Sequence, residues 1–351
     1  MNLAVSAYTV PTDRPESDGT FAWEATTLVV VEAEAQGRTG LGWTYAPAAA
    51  GRLIADLLAP AIDAPLEIAA AWAAMVAAVR NAGPWGLAMY AVAAVDIALW
   101  DLKARVLETS LSGLLGRRRD AVPIYGSGGF CSYSDRELAE QLGGWVEQGI
   151  PRVKMKVGRD PAADPRRVAA ARAAVGDGVE LMVDANGAYD TAQAVRLAHA
   201  FEGVGWFEEP VSSDDRAGLR LVRERVPPGM AVAAGEYATD VFGFRALLGA
   251  VDVLQADVTR CGGITGFLRA DALCAAHGTP LSAHCAPALS MHPMAAAQCA
   301  RHIEWFHDHV RIESLLFDGA PDPVDGGVRP DPDAPGHGLT LKRADAERYR
   351  V

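Results

Sequence analysis

The sequence predicts an α/β protein: a parallel barrel of the TIM type, preceded by a smaller α+β unit. Three observations predict it. Short apolar runs alternate with amphipathic helical stretches roughly eight times over about 200 residues. The first third of the chain lacks that alternation. Nearly every apolar run of the alternating part ends in an ionisable residue, whereas strands covered on both faces are normally apolar throughout.

The 351 residues suffice for one large domain or two ordinary ones with a sizeable core. Half of them are apolar and 22% are charged, a soluble globular composition. A net charge of −12 argues against nucleic acid or an anionic membrane as partner. It also makes any local group of cations informative. Cys131, Cys261, Cys274, Cys285 and Cys299 form no CxxC pair, and their odd, scattered set points to a reducing cytosol. The N-terminus carries neither a basic segment nor a long apolar run, so no secretory signal is expected.

In order along the chain, LAVSAYTV (3–10) and TTLVVVEAEA (26–35) read as antiparallel strands. Three helical stretches follow: 50–62, 65–80, and a long one ending near LWDLKARVLE. Its apolar part, GLAMYAVAAVDIALWDL (86–102), is Ala-rich and interrupted by Asp96, which favours a buried helix over a membrane span. Arg117–Arg119 mark the expected boundary of this first unit. Beyond it the strands are VPIYGS (122–127), RVKMKV (152–157), ELMVDA (180–185), GWFEEP (205–210), AVAAGE (231–236), VDVLQAD (251–257), PLSAHC (280–285) and HIEWF (302–306). The intervening helices start and stop at Gly, Pro and Asp. Eight units in unbroken succession favour a closed barrel over an open doubly wound sheet. The stretch 317–338, rich in Pro, Gly and Asp, has a composition compatible with disorder. Residues 339–351 regain strand and helix character and are expected to pack back on the first unit. The expected divisions are 1–118, 119–315 and 316–351.

Active sites of such barrels lie at the C-terminal strand ends. Here these ends carry Lys154 and Lys156, Asp184, Glu208 with Glu209, Glu236, Asp257, His284 and Glu304. Asp184, Glu208 and Glu236 come from three successive strands. Three carboxylates at one barrel mouth repel without a cation, and an all-oxygen set suits Mg²⁺. Taken singly, each carboxylate reads as a helix cap or an arginine partner. Strand alternation puts Lys154 and Lys156 on one side. A buried lysine beside a second cation is expected to have a lowered pKa and to act as a base. The alternative is that both lysines neutralise the acidic cluster. Asp257 and His284 lie on adjacent strands, where the carboxylate can fix the imidazole tautomer. His277, His292, His302, His307 and His309 read as structural.

Taken together, Lys-x-Lys, DAN, FEEP, GE, Asp-x-x-Arg-x-Gly-Gly and SAH resemble the mandelate racemase subgroup of the enolase superfamily, over nearly the whole chain. AVAAVDIALWDL is similar to the family's capping-domain helix. The resemblance implies a modified (β/α)7β barrel with a capping domain formed from the N-terminal segment and the C-terminal tail. It implies one Mg²⁺ per subunit on Asp184, Glu208 and Glu236, with Lys156 and the His284–Asp257 dyad as acid/base groups on opposite faces of the substrate. Lys154 matches a group that polarises the substrate carboxylate. Ser127, Asn186 and Glu304 fall at substrate-contacting positions, and Arg260 at a cationic position near the dyad.

The implied chemistry is Mg-dependent removal of the proton α to a carboxylate through an enediolate intermediate, a pattern of Lys or His base with Mg²⁺. Dehydration of an acid sugar (aldonate, uronate-derived or aldarate) to a 2-keto-3-deoxy acid is the leading outcome. Racemisation or epimerisation of a 2-hydroxy acid is the second. A non-catalytic, metal-dependent binder of carbohydrate acids stands as the alternative of another class. Muconate cycloisomerases and dipeptide epimerases place a lysine where this chain has Asp257, and enolase proper lacks the dyad. Trp23 and Tyr45, in the capping loops, are expected to cover the substrate, while Cys131 is expected to have no catalytic role. A cytoplasmic homo-oligomer, dimer or octamer, is expected from the family.

Overall fold

The structure is a computed structural model and describes residues 2–351. It opens with a three-stranded antiparallel meander: β1 (Asn2–Ser17), β2 (Ala22–Ala35) and β3 (Arg38–Tyr45). β2 shows why these residues form a strand. Val29, Val31 and Ala33 pack into a core shared with the helices of this unit, while Leu28 and Val30 join the core that continues into the barrel. Both faces are apolar because both are covered.

The helices are α1 (Ala49–Leu53), which runs on through a π turn and a 3₁₀ turn to Ala61, then α2 (Ile68–Ala78), α3 (Leu87–Val106) and α4 (Leu111–Leu114). α3 lies directly on β3. A Cβ on Gly42 would stand 2.4 Å from the Ala94 carbonyl oxygen, so only glycine permits this approach. Although α3 is 20 residues long and largely apolar, no helix among the described residues is long and apolar enough to cross a membrane.

The barrel strands are β4 (Val122–Gly128), β5 (Arg152–Lys156), β6 (Glu180–Asp184), β7 (Val204–Glu208), β8 (Ala231–Ala234), β9 (Val253–Ala256), β10 (Leu281–Ala283) and β11 (Ala300–Phe306). Successive strands pair in parallel, and β11 pairs with β4 to close the ring. Seven crossovers carry α5 (Asp135–Glu147), α6 (Asp164–Val175), α7 (Thr191–Ala200), α8 (Arg216–Arg223), α9 (Val241–Leu247), α10 (Gly263–His277) and α11 (Pro287–Ala296), the (β/α)7β pattern expected. α5 and α7 each begin with a capping box, Ser134 with Glu137 and Asp190 with Gln193. Tyr125, Met182, Trp206, Ala233 and Val253 fill the interior of the ring.

After β11, α12 (His307–Leu316) leads the chain away. The segment whose composition is compatible with disorder is instead ordered. β13 (Gly327–Val328) adds antiparallel to β4, and the backbone N–H of buried His337 donates to Asp101 of α3. β12 (Phe317–Asp318) and β14 (Thr340–Leu341) pair with each other, and α13 (Arg343–Ala346) follows. The terminal Val351 N–H donates to the Ala7 carbonyl of β1. Composition misled here because the polar stretch is held by specific hydrogen bonds to both units and by a few buried apolar side chains, Val328 and Phe317, the latter stacked on Trp43.

Asp96 explains the charge inside the apolar helix. It accepts the Thr265 backbone N–H at 2.9 Å and the Thr265 hydroxyl at 2.6 Å, at the start of α10. A buried carboxylate of the first unit thus caps a barrel helix. Trp72 donates to Gly262 and Thr44 to Thr259, so the first unit sits on the loop after β9.

Candidate active site

The register sets the site. Lys156 of β5 pairs with Asp184 of β6, and Asp184 with Glu208 of β7, so the three stand side by side at one level. Gly235 turns the chain after β8 and delivers Glu236. Its φ is +140°, and a Cβ there would stand 2.2 Å from the Gln255 carbonyl oxygen. Asn186, Glu209, Cys285 and Ala286, all just past strand ends, also have φ between 35° and 50°. Backbone strain is concentrated at the mouth, as functional sites often show.

Asp184, Glu208 and Glu236 are buried, and each offers an oxygen within 4.8 Å of the other two. Burial and the Asp184 charge push Glu208 up to about 8. Glu209 Oε1 is buried without a hydrogen-bond partner. Burial acts against the charge on Glu236, yet His284 and Arg260 hold its carboxyl well below the usual range. Three crowded, buried carboxylates fit a hard divalent cation.

Lys154 and Lys156 share a side, as alternation requires, but their surroundings differ. Lys154 is fully buried, with Nζ 2.5 Å from Glu208 Oε1 and 2.8 Å from Glu304 Oε1. Lys156 Nζ stands 2.5 Å from Asp184 Oδ2 and reaches the cavity above. The expected depression of the Lys156 pKa is not found. Burial acts most strongly, to lower it, but Asp184, Glu304 and Glu236 together outweigh burial and Lys154 and leave it raised.

Across the mouth, His284 Nδ1 lies 2.7 Å from Asp257 Oδ2, and Nε2 lies 3.1 Å from Glu236 Oε2. Burial alone would lower this imidazole, yet Cys285, Glu236, Glu304 and Asp257 raise it well above the usual value. Burial opposes the charge on Asp257 too, but its bond from His284 and the nearby Arg260 hold it low. Arg260 reaches Glu236 at 3.2 Å and Asp257 at 3.4 Å.

A cavity of roughly 460 Å³ lies between the strand ends and the first unit. Of the residues singled out by sequence, Lys156, Asn186, Glu236, Arg260, His284, Glu304, Trp23 and Tyr45 line it. Asp184, Glu208, Lys154, Asp257 and Ser127 stand behind them. Ser127 does not line it; its hydroxyl donates to Glu304 Oε1 at 2.5 Å. Asp18 and Phe21, of the DGTFAW loop expected to cover the substrate, line the cavity too; Thr26, Tyr237, Cys285 and His309 also line it and were not anticipated as site residues. His309 reads as structural from sequence, but it stacks on Tyr45 and accepts the Ala286 N–H through Nδ1 while facing the cavity. Cys285 was legible only as the residue after His284.

Two family models match the chain. One, described as the mandelate racemase/muconate lactonizing enzyme N-terminal domain, matches residues 4–116; the other, enolase C-terminal domain-like, matches residues 137–346. A 3,6-anhydro-α-L-galactonate cycloisomerase of Streptomyces coelicolor is 34% identical over 90% of this chain and 89% of its own. The structure of a mandelate racemase/muconate lactonizing enzyme-like protein from Rubrobacter xylanophilus superposes with TM-score 0.98 at 58% identity, covering 99% of both chains. That of L-talarate/galactarate dehydratase from Salmonella typhimurium, liganded with Mg and L-lyxarohydroxamate, gives TM-score 0.90 at 30% identity, covering 99% of this chain and 92% of that one. Relatives are therefore dehydratases and cycloisomerases, and homologous structures hold magnesium.

Proposed function

The chain belongs to the mandelate racemase/muconate lactonizing enzyme family of the enolase superfamily, and from that premise we propose that it removes the proton α to the carboxylate of an acid sugar and expels the β-oxygen. The observation that carries this reading is the placement of Lys156 and His284. They enter one cavity from β5 and β10, strands on nearly opposite sides of the ring, with the carboxylate trio between them.

Asp184, Glu208 and Glu236 would hold Mg²⁺, which when bound neutralises the charge that develops on the substrate carboxylate. Lys156 takes the α-proton at Nζ. His284, oriented by Asp257, gives the proton at Nε2 to the departing β-oxygen. Arg260, beside Glu236 and Asp257, supplies further positive charge from the His284 side. Lys154 acts from below by holding Glu208 and Glu304 in place. Breaking the α-C–H and β-C–O bonds gives an enol, which becomes a 2-keto-3-deoxy acid. When the β-oxygen is a hydroxyl, water leaves; when it is a ring oxygen, it stays tethered and the product is an isomer. Dehydration and cycloisomerisation thus differ in the leaving group, not in the residues.

The substrate class is narrowed by what the first unit places over the mouth. Asp18, Phe21, Trp23, Thr26 and Tyr45 contribute no cation, and among the described residues lining the cavity the lysine and arginine are Lys156 and Arg260, both at strand ends. A second carboxylate at the far end would meet aromatic rings and Asp18. This favours a monoacid, an aldonate or its anhydro or deoxy form, over a diacid. The test is incubation with Mg²⁺ and a panel of sugar acids in D₂O, followed by NMR and mass. Loss of one water marks a dehydratase and an isomeric product a cycloisomerase. Exchange of the α-proton alone marks a racemase or epimerase. A panel with none of these, on Mg²⁺-loaded protein, supports the binding protein instead.

A further inference from the structure

We propose that His284, Cys285 and Glu304 form a second metal site, for a thiophilic divalent cation such as Zn²⁺, open to the substrate cavity. The three donor atoms make a nearly equilateral triangle. Cys285 Sγ lies 3.3 Å from His284 Nε2 and 3.4 Å from Glu304 Oε2, and Nε2 lies 3.5 Å from Oε2. Zinc bonds of ordinary length to one nitrogen, one sulfur and one oxygen, set at tetrahedral angles, give ligand–ligand distances of roughly 3.3–3.6 Å. The observed triangle matches before any ion is placed.

Each donor is also held by its other end, as metal ligands usually are. His284 Nδ1 bonds Asp257 at 2.7 Å, so Nε2, 3.1 Å from Glu236 Oε2, is the nitrogen that would turn to the ion. Glu304 Oε1 takes Ser127 at 2.5 Å and Lys154 at 2.8 Å, while Oε2, which accepts the Cys285 N–H at 3.2 Å, keeps a second lone pair for the ion. Cys285 is set by a left-handed backbone, φ +50°, and its carbonyl accepts the Ser290 hydroxyl at 2.8 Å. All three residues line the cavity, so the fourth coordination position faces it.

Ligand softness separates this site from the neighbouring trio. Asp184, Glu208 and Glu236 offer only hard oxygens, whereas a sulfur and an imidazole select zinc over magnesium. On binding, the Cys285 thiol and the Nε2–H of His284 release their protons to solvent, and the thiolate and the neutral imidazole coordinate the ion. An ion there takes the Nε2 lone pair of His284. If the proposed acid role of His284 holds, zinc therefore inhibits in competition with substrate; binding itself does not depend on that role.

The test uses the full chain, reduced and loaded with Mg²⁺, without substrate. Co²⁺ added to it is expected to produce a cobalt–thiolate charge-transfer band at about one equivalent. The band is expected to vanish in Cys285→Ser and to persist in Cys131→Ser and Cys299→Ser. Zinc K-edge absorption of the unaltered protein, which needs no variant, is expected to show one sulfur at about 2.3 Å. A zinc shell of nitrogen and oxygen alone, or a cobalt band that survives in Cys285→Ser, overturns the site. Sulfur coordination without inhibition would keep the site and count against the role given to His284.

Discussion

Lys156 Nζ stands 2.5 Å from Asp184 Oδ2, so the proposed base is ion-paired with a proposed metal ligand. The ammonium is stabilised by that contact, and the lysine becomes a base only when the carboxylate is engaged by another cation. Proton abstraction is therefore expected to require Mg²⁺ absolutely. Protein treated with a chelator is expected to show no α-proton exchange, and added Mg²⁺ to restore it. Asp184→Asn is expected to lower kcat/KM by at least roughly 10³-fold and to weaken Mg²⁺ binding measured by calorimetry. It also leaves the buried Lys156 short of its partner, at a cost of about 3 kcal/mol in unfolding by denaturant.

Asp257 fixes which nitrogen of His284 faces the cavity. Asp257→Asn is expected to reduce kcat/KM by roughly 10²–10⁴-fold, because the amide no longer holds the imidazole in the productive tautomer. Mg²⁺ affinity is expected to stay within about threefold, since Asp257 touches none of the trio. Steady-state kinetics and metal titration on the same preparation separate the two effects.

Much of this site was legible because barrel geometry converts sequence order into position. Lys156, Asp184 and Glu208 end successive strands, and parallel pairing sets them at one level. His284 and Asp257 met for the same reason. Charge states were not legible. The charge that acts most on Lys156 is Asp184, 28 positions away, whereas sequence proximity pointed to Lys154. Residues supplied by the first unit, such as Thr26, and by α12, such as His309, also escaped notice. No local motif marks them, and only docking of the two units brings them over the mouth. Asp96 was visible as an anomaly in an apolar helix, but its partner Thr265 is 169 positions away.

Among the described residues the cap side of the cavity carries no Lys or Arg, and the proposed preference for monoacids rests on this. Aldonates are expected to exceed aldarates of the same stereochemistry by at least roughly tenfold in kcat/KM, consistent with about 1.4 kcal/mol or more per tenfold step. Phe21→Arg is expected to narrow that ratio by improving KM for the diacid. An unaltered protein that prefers diacids would contradict this reading of the cavity.

His292 is buried in α11 with neither ring nitrogen hydrogen-bonded. Burial, reinforced by His337, lowers its pKa from 6.5 to about 3. The unfolded chain takes up this proton near pH 6.5, and the folded chain refuses it until about pH 3. Between those values the unfolded state binds more protons, so stability falls as pH drops through that window. The full effect is on the order of 4 kcal/mol. His292→Phe, similar in size and without a titratable group, is expected to flatten the decline of Tm between pH 6.5 and 4. Equal slopes in both proteins would show that other groups govern acid unfolding.

The central claim is that Lys156 and His284 act from opposite sides of one substrate. Its most direct test is the stereochemistry of α-proton exchange in D₂O, followed by NMR on both enantiomers or epimers of a turned-over acid, with Lys156→Ala and His284→Asn compared at saturating Mg²⁺. Lys156→Ala is expected to abolish exchange of the α-proton facing β5 while leaving any exchange on the opposite face. His284→Asn is expected to permit exchange on the Lys156 face but to stop product formation. Exchange on both faces in both variants, or product formed at an undiminished rate by His284→Asn, would contradict the account.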